Sequence, residues 1–346
     1  MTGSASISAP VAGVFTVTPT TTGILTLQAT QAGQVGVYES NMLRQTLTVT
    51  GGVPDFNGDG KGDIVLSNSS SGDRAIWLMN GAGIASGAYL GTISTAWLIS
   101  ATGDFNADGM GDMVLSNLST GERVIWLMNG TSISSGTSLG VISPNWTLVA
   151  TGDFNGDGKS DILLANSITG ERAIWLMNGA SISVGMSLGV LAPSWVFAAT
   201  GDFNGDGKSD ILLSNTTTGE RAIWLMNGTS VSAGVSLGGL ATSWSFSGTG
   251  DFNADGRSDI LLFNTVTGER AIWLMNGASI SAGASLGLLG TNWQFSHVGD
   301  FDGDGKADIF LTNSVSGERA VWLMNGTTIT AGGSLGNVST NWLITH

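Results

Sequence analysis

The sequence predicts an all-β protein: a six-bladed β-propeller of 49-residue blades, preceded by a small N-terminal β segment. An acidic stretch, GDFNGDGKSDILL in its third copy, recurs six times, with its first aspartate at Asp55, Asp104, Asp153, Asp202, Asp251 and Asp300. Two tryptophan series, which begin at Trp77 and Trp97, recur at the same interval of 49 residues. Residues 53–346 number 294, which is six times 49. Such a fixed period indicates a repeat architecture.

Each copy contains four short segments with the character of strands. In the third copy these are WTLVATGDF, DILLANS, RAIWLMNG and SISVGMSLG. They are separated by the acidic loop and by turns with Thr-Gly or Asn-Gly, residues that tolerate positive φ. Runs such as AIWLM are apolar on both faces, as expected of strands packed between neighbouring sheets. Four strands in a repeat of this length are typical of a propeller blade.

The C-terminal residues WLITH match the strand that precedes the acidic loop in the other copies. Since the first blade begins at its acidic loop, we expect this C-terminal strand to complete the first blade and remove the open sheet edge. The competing count is seven blades, with residues 4–52 as a degenerate blade that lacks the loop.

The N-terminal segment, residues 1–52, is expected to be separate from the propeller of residues 53–346. Its stretches GVFTVTP, GILTLQA, QVGVYES and LRQTLTVT alternate as strands do. Because about fifty residues bury little core, this segment must lean on the propeller, form a seventh blade, or complete itself with another molecule. Exchange of a strand between copies would build a chain of subunits. The expected partner is therefore a second copy, bound through this segment, or another surface protein.

Composition excludes several classes of function. The chain has no cysteine for disulfides or a thiolate site, and no apolar run long enough to span a membrane. Its net charge of −14 argues against a nucleic-acid partner. Of its 26 acidic residues, 19 lie in the six loops. The acidity is therefore local to the loops.

The acidic loop offers oxygen ligands at alternate positions. In the third copy, positions 1, 3, 5 and 9 are Asp153, Asn155, Asp157 and Asp161. Gly158 at position 6 permits a sharp turn, and the carbonyl of Lys159 at position 7 supplies a further oxygen. An all-oxygen site in a flexible loop suits Ca²⁺ better than Mg²⁺. We therefore expect about six Ca²⁺ ions, one in each loop, with Phe154 at position 2 pointing into the core.

The spacing shares its first half with the EF-hand loop, but position 9 is Asp here and a strand follows at once, so this is not an EF-hand. The pattern D-x-[DN]-x-D-G-x-x-D before a strand, repeated in a propeller, resembles the FG-GAP/VCBS repeats. Those repeats include the calcium loops of integrin α-subunit propellers and many bacterial surface proteins. The resemblance covers the chain from about residue 53 onward. It implies calcium binding and a secreted or cell-surface location.

The resemblance also implies the metal ligands of every loop, at positions 1, 3, 5, 7 (by its carbonyl) and 9. They are Asp55, Asn57, Asp59, Lys61 and Asp63; Asp104, Asn106, Asp108, Met110 and Asp112; Asp153, Asn155, Asp157, Lys159 and Asp161; Asp202, Asn204, Asp206, Lys208 and Asp210; Asp251, Asn253, Asp255, Arg257 and Asp259; and Asp300, Asp302, Asp304, Lys306 and Asp308. Asp302 adds a charge to the sixth loop, which is expected to bind most tightly. Met110 needs to supply only a carbonyl, so no loss is expected there.

The remaining repeated residues have structural and functional interpretations. Tryptophans can stack on sugars, but the Trp77 series is expected to pack between blades and the Trp97 series, though nearer a loop, is also expected in the core. The Arg74 series is expected to form a structural salt bridge or to bind turn carbonyls. No Ser-His-Asp set recurs, so no enzyme is expected. The predicted function is an extracellular structural or adhesive propeller, a subunit of a surface assembly or filament. The alternative is a multivalent lectin that binds glycans.

Overall fold

The computed structural model describes residues 5–7, 17–19, 23–30, 42–49 and 54–345, and these residues contain strands, turns and loops but no helix. In the N-terminal segment, β1 (Ala5–Ile7) pairs with β2 (Val17–Pro19), and β3 (Gly23–Thr30) pairs with β4 (Met42–Val49). The rest of the described chain forms six four-stranded antiparallel sheets, the blades of a propeller.

The strands of the blades follow one another in sequence. Blade 1 contains β5 (Ile64–Asn68), β6 (Asp73–Asn80) and β7 (Gly83–Thr92). Blade 2 contains β8 (Trp97–Gly103), β9 (Asp112–Asn117), β10 (Glu122–Asn129) and β11 (Ser132–Val141). Blade 3 contains β12 (Trp146–Gly152), β13 (Asp161–Asn166), β14 (Glu171–Asn178) and β15 (Ser181–Val190). Blade 4 contains β16 (Trp195–Gly201), β17 (Asp210–Asn215), β18 (Glu220–Asn227) and β19 (Ser230–Gly239). Blade 5 contains β20 (Trp244–Gly250), β21 (Asp259–Asn264), β22 (Glu269–Met275) and β23 (Ile280–Leu288). Blade 6 contains β24 (Trp293–Gly299), β25 (Asp308–Asn313), β26 (Glu318–Asn325) and β27 (Thr328–Asn337).

The first blade is completed by the C-terminal strand, β28 (Trp342–Thr345). This strand pairs antiparallel with β5, with Trp342 opposite Asn68 and Thr345 opposite Val65. The predicted closure and the count of six blades are therefore confirmed.

The seven-blade alternative is wrong, because the N-terminal strands β1–β4 form two separate two-stranded sheets and not a four-stranded blade. The predicted strands GILTLQA and LRQTLTVT correspond to β3 and β4, and the end of GVFTVTP to β2. The predicted strand QVGVYES lies outside the described residues. The short strand β1 was not predicted.

The hydrophobic core lies between blades. Phe154 and Ile174 of blade 3, for example, share one cluster with Ile211, Leu213 and Met226 of blade 4. The phenylalanine at loop position 2 is fully buried in every blade: Phe56, Phe105, Phe154, Phe203, Phe252 and Phe301. Because a propeller sheet is covered on both faces by its neighbours, the central residues of its middle strands, such as Ile162, Leu163 and Leu164 of β13, are apolar in succession.

The first strand of each blade lies towards the centre, since these strands contact one another in succession from β28 through β8, β12, β16 and β20 to β24. A threonine ladder joins them. The Thr151 hydroxyl donates to the Thr102 carbonyl at 2.7 Å, and Thr200 and Thr249 continue the ladder at 2.7 and 2.5 Å. Val298 ends the ladder because it has no hydroxyl to donate.

The repeated arginines fasten each blade to the next. Arg221 on β18 of blade 4 is 3% exposed, and its Nη2 donates to the carbonyl of Trp244 in blade 5 at 2.6 Å. Its guanidinium also lies 5.2 Å from the ring centre of Phe246, within cation–π range. Bonding to turn carbonyls was one of the two expected roles, and it is seen in two blades, where Arg172 Nη1 donates to the Gly170 carbonyl at 3.0 Å and Arg270 Nη1 to that of Gly268. The bond to a strand carbonyl of the next blade was not expected.

Both tryptophan series are half-buried and pack against the clusters between blades. Trp224 and Trp195, for example, contact the cluster that joins blades 3 and 4. The packing role expected for the Trp77 series is confirmed. Tryptophans of both series also keep part of their indole surface accessible.

Candidate metal centre

In blades 2 to 6 the acidic loop joins the first strand to the second, and in blade 1 it precedes β5, the strand that pairs with β28, so the six loops lie at one end of the propeller. The glycine at position 6 has a positive φ, 82° at Gly158, which turns the loop back over its own start. The fold thereby brings the position 1, 3 and 5 side chains of each loop close together.

The carboxylate at position 1 lies at the centre of its loop. In the third loop, Asp153 Oδ1 accepts the N–H of Gly156 at 2.7 Å and of Asp157 at 3.2 Å, and Oδ2 accepts that of Gly158 at 2.7 Å. Burial raises the pKa of Asp153 above its ordinary value, against these hydrogen bonds, which lower it. A buried carboxylate among backbone dipoles still has lone pairs to offer a cation.

Positions 3 and 5 form the open side of the loop. Asn155 Oδ1 accepts the N–H of Asp157, and Asp157 Oδ1 accepts the N–H of Lys159, both at 2.9 Å. The Lys159 ammonium lies 3.8 Å from Asp157 Oδ2. The lysine at position 7 therefore lies against the position 5 carboxylate by its side chain, in addition to the carbonyl predicted from the sequence.

The aspartate at position 9 is held differently from the others. Asp161 is fully buried; its Oδ2 accepts the N–H of Phe154 at 3.0 Å, and its Oδ1 accepts the N–H of Met177 on β14 at 2.8 Å. Burial raises its pKa to about 7. Each of its oxygens thus accepts a hydrogen bond from a backbone N–H. Direct contact of this carboxylate with a metal stays a prediction. The same two bonds recur at Asp63, Asp112, Asp210, Asp259 and Asp308.

The sixth loop brings three carboxylates together. Ligand oxygens of Asp300, Asp302 and Asp304 all lie within 4.8 Å of one another. The other five loops have asparagine at position 3 and place two carboxylates and an amide there. Lys306 Nζ contacts Asp304 Oδ2 at 2.8 Å, and this bond raises the pKa of the lysine.

The loops are also joined into a ring that the sequence-based reasoning missed. The carbonyl at position 1 of each loop accepts the backbone N–H at position 8 of the next loop, at 2.6–2.8 Å. The six pairs are Asp55 with Gly111, Asp104 with Ser160, Asp153 with Ser209, Asp202 with Ser258, Asp251 with Ala307, and Asp300 with Gly62. The available signal was the small residue at every position 8. Ser160, at position 8 of the third loop, packs closely on Gly103 of the preceding blade: a Cβ added at Gly103 would lie 2.5 Å from Ser160 Oγ. A larger residue at position 8 would therefore clash with the preceding blade.

The donor set of these loops fits a hard divalent cation. It consists of carboxylate, amide and carbonyl oxygens, without nitrogen or sulfur ligands. Each of the first five loops gathers three aspartates, and the sixth gathers four. When ionised, these carboxylates repel one another unless a cation lies among them.

A family model described as FG-GAP-like repeat matches residues 55–115, 104–164, 153–213, 202–262 and 251–311, more than half of the chain. Each match begins at one acidic loop and ends in the strand after the next loop. No curated protein matches the chain. Among the described residues, no helix is long and apolar enough to cross a membrane.

Several solved propellers are similar to this chain at low identity. The β-propeller domain of Cps50 (Swd1) from Myceliophteria thermophila has 10% identity and a TM-score of 0.48, over 83% of this chain and 87% of that one. A luciferin-regenerating enzyme has 10% identity and a TM-score of 0.48, over 83% and 92%. A candidate 6-phosphogluconolactonase from Bacteroides uniformis has 13% identity and a TM-score of 0.47, over 80% and 84%. Similarities of this size do not bear on function.

Proposed function

Because this chain belongs to the FG-GAP-like repeat family, we propose that it is a calcium-stabilised extracellular propeller with a structural or adhesive role. The observation that carries the proposal is the sixfold repetition of one oxygen-lined loop, linked to its neighbours by the ring of hydrogen bonds. A rigid ring of six near-identical blades suits a scaffold better than a single active site, and we propose no catalytic role.

In this proposal, each loop would hold one ion through its position 1 and 5 carboxylates, the position 3 amide or carboxylate oxygen, and the position 7 carbonyl. Position 9 would act as a direct ligand or as the support of the loop. The ion supplies positive charge that offsets the repulsion among the carboxylates. Because position 1 also bonds to the next loop, an ordered loop stabilises the interface between two blades.

Thermal unfolding tests the calcium role. The melting temperature is measured in calcium, in magnesium and in chelator, with the full chain in each case. The proposal expects calcium to raise the midpoint well above that in chelator, with a smaller effect of magnesium. Equal midpoints in calcium and chelator would refute it.

We further propose that the chain divides into the segment of residues 1–52 and the propeller of residues 53–346, and that the segment links copies or docks on another surface protein. Electron microscopy of the full chain in calcium and in chelator tests assembly. Filaments or regular oligomers in calcium would support it, whereas monomeric rings in both conditions would refute it. Deletion of residues 1–50 is expected to abolish the assembly, and oligomers that survive the deletion would exclude this segment as the link.

The second candidate function is multivalent carbohydrate binding. The observation that favours it is the pair of half-buried tryptophans that each blade places against its neighbour. A glycan array probed with the full chain tests this function. Binding to a defined group of glycans would support a lectin, and a blank array would favour the purely structural role.

A further inference from the structure

Two cavities lie at equivalent positions on different blades. One, of about 330 Å³, is lined by Ile93, Ser94, Trp97, Leu115, Val124 and Trp126. The other, of about 240 Å³, is lined mainly by Leu191, Trp195, Leu213, Ala222 and Trp224. Each of these five residues lies two repeats after its counterpart in the first cavity; only Ser94 of the first cavity has no counterpart here. The cavity is therefore a property of the blade architecture.

The cavity at blade 4 combines two indoles with polar groups at its rim. Trp195 comes from the first strand, β16, and Trp224 from the third, β18. Both tryptophans are half-buried, and neither indole N–H donates to a protein group within the described part of the chain, so both N–H groups can donate to a ligand. Glu220 and Ser236 line the same cavity; both are exposed, and the Ser236 hydroxyl donates to Glu220 Oε1 at 3.4 Å.

A glycine leaves the edge of one indole uncovered. Gly234 on β19 lies opposite Trp224, and a Cβ at Gly234 would lie 3.4 Å from Trp224 Cδ1. This glycine has no left-handed φ, so the backbone does not require it. The equivalent position is glycine in every blade: Gly87, Gly136, Gly185, Gly283 and Gly332. Every blade therefore lacks a side chain at the position from which it would cover the tryptophan of the Trp77 series.

Aromatic faces, free N–H donors and a carboxylate at the rim are the groups that recognise a ring with an apolar face and hydroxyls around it. We propose that the cavity lined by Trp195, Trp224 and Glu220 binds a single pyranose ring. The C–H face of the sugar packs on an indole, and its hydroxyls bond to the Glu220 carboxylate and an indole N–H. This inference rests on the carbohydrate-binding function proposed above and assigns its site.

The experiment uses the full chain labelled with 5-fluorotryptophan and ¹⁹F NMR. The Trp195 and Trp224 resonances are assigned with Trp195→Phe and Trp224→Phe. The probes are the methyl pyranosides of glucose, galactose, mannose, fucose and N-acetylglucosamine, titrated through the millimolar range. At least one probe is expected to shift both resonances. In Gly234→Val the added side chain covers Trp224, and the shifts are expected to disappear. The matched control is Ala233→Val on the same strand, whose side chain points to the opposite face of the sheet; it is expected to keep the shifts.

Three results would overturn the proposal: no shift of either resonance with any probe, shifts that persist in Gly234→Val, or shifts that disappear equally in Ala233→Val. A glycan array separates this failure from that of the wider function. Array binding without shifts at Trp195 and Trp224 leaves the lectin function and removes this site. A blank array with no shifts removes both.

Discussion

The backbone N–H of Gly62 donates to the carbonyl of Asp300 at 2.6 Å and thereby joins the acidic loop of the last blade to that of the first. Residues 238 positions apart in sequence thus close a ring of loop-to-loop bonds. The closure is repeated at the C-terminus, where β28 completes blade 1, and at Arg319, whose Nη2 donates to the carbonyl of Trp342. Three separate bonds or pairings therefore fasten the same junction.

Polar substitution on the inner face of β28 is expected to weaken this junction. Ile344 packs against the cluster between blades 6 and 1, whereas Leu343 on the same strand is 52% exposed. Ile344→Asp buries an unpaired charge and is expected to lower the melting temperature by several degrees. Leu343→Asp is the control, with little expected effect. Equal midpoints for the two variants, measured by circular dichroism, would mean that β28 does not hold the ring closed.

Position 9 and position 5 of a loop are expected to respond differently to loss of charge. Asp161→Asn replaces one accepting oxygen by a donor and leaves a buried N–H unpaired, at a cost of about 1–3 kcal/mol even in chelator. Asp157 is exposed. Asp157→Asn is therefore expected to leave the free energy of unfolding in chelator unchanged, while reducing the stabilisation by calcium. Unfolding curves of both variants with and without calcium measure the difference. A loss of stability in chelator for Asp157→Asn but not for Asp161→Asn would contradict these roles.

The stability of the metal-free protein is expected to fall as the pH rises. Burial raises the pKa of the position 9 carboxyls to about 7, from an ordinary value of 3.8. Between these values the folded chain holds protons that the unfolded chain has released, so protonation favours folding at low pH. This contribution is lost as the pH passes through 7. The melting temperature in chelator is therefore expected to be higher at pH 5.5 than at pH 8.

Calcium is expected to reduce this dependence, because a nearby cation favours the ionised carboxylates. The stabilisation by calcium therefore grows from pH 5.5 to pH 8. A metal-free protein that melts at a higher temperature at pH 8 would show that the buried carboxyls are ionised at little cost.

The third carboxylate of the sixth loop is expected to set its affinity. Asp302→Asn gives this loop the same carboxylate and amide side chains at positions 1, 3, 5 and 9 as the others, and the dissociation constant of the tightest site is expected to rise by roughly tenfold, about 1.4 kcal/mol. The reciprocal change, Asn155→Asp, is expected to create a second tight site. Calcium titration calorimetry measures both. If neither substitution alters the tightest phase, ligand charge does not distinguish the loops.

Gly248 and Val298 are expected to behave as a coupled pair in the centre of the ring. A Cβ at Gly248 would lie 2.6 Å from Val298 Cγ2, so Gly248→Ala is expected to destabilise by about 1–3 kcal/mol through overpacking. The double variant Gly248→Ala with Val298→Thr restores the residues of blades 2 to 4, with a hydroxyl that can extend the threonine ladder. It is expected to recover most of the loss. Additive effects in a double-mutant cycle would show that the two positions are independent.

Much of the propeller could be predicted because its pattern is repeated six times. The 49-residue interval gave the four strands of the third copy to within a few residues, and the match of WLITH to the other first strands predicted the closure. The predicted fourth strand, SISVGMSLG, corresponds to β15, although nearly all of its residues are exposed. The flanking turn residues and the 49-residue period were together sufficient to predict this strand.

The hydrogen bonds between side chains and distant backbone atoms could not be predicted. Asp161 accepts hydrogen bonds from the backbone N–H groups of Phe154 and Met177. These bonds do not depend on which side chains the two donor residues carry, so the sequence has no signal for them. The acceptor of Arg221 is likewise a main-chain carbonyl in another blade. The cavity between Trp195 and Trp224 was missed as a site because each tryptophan series was considered separately. The two series meet only when the blade folds.

The central claim is that each acidic loop holds one calcium ion, and equilibrium dialysis of the full chain against buffered calcium, with bound metal counted by mass spectrometry, tests it most directly. The expected result is about six calcium ions per chain, reduced to about five by combined Asp153→Ala and Asp157→Ala substitutions in the third loop. Binding of no calcium, or an unchanged count in that variant, would contradict the account.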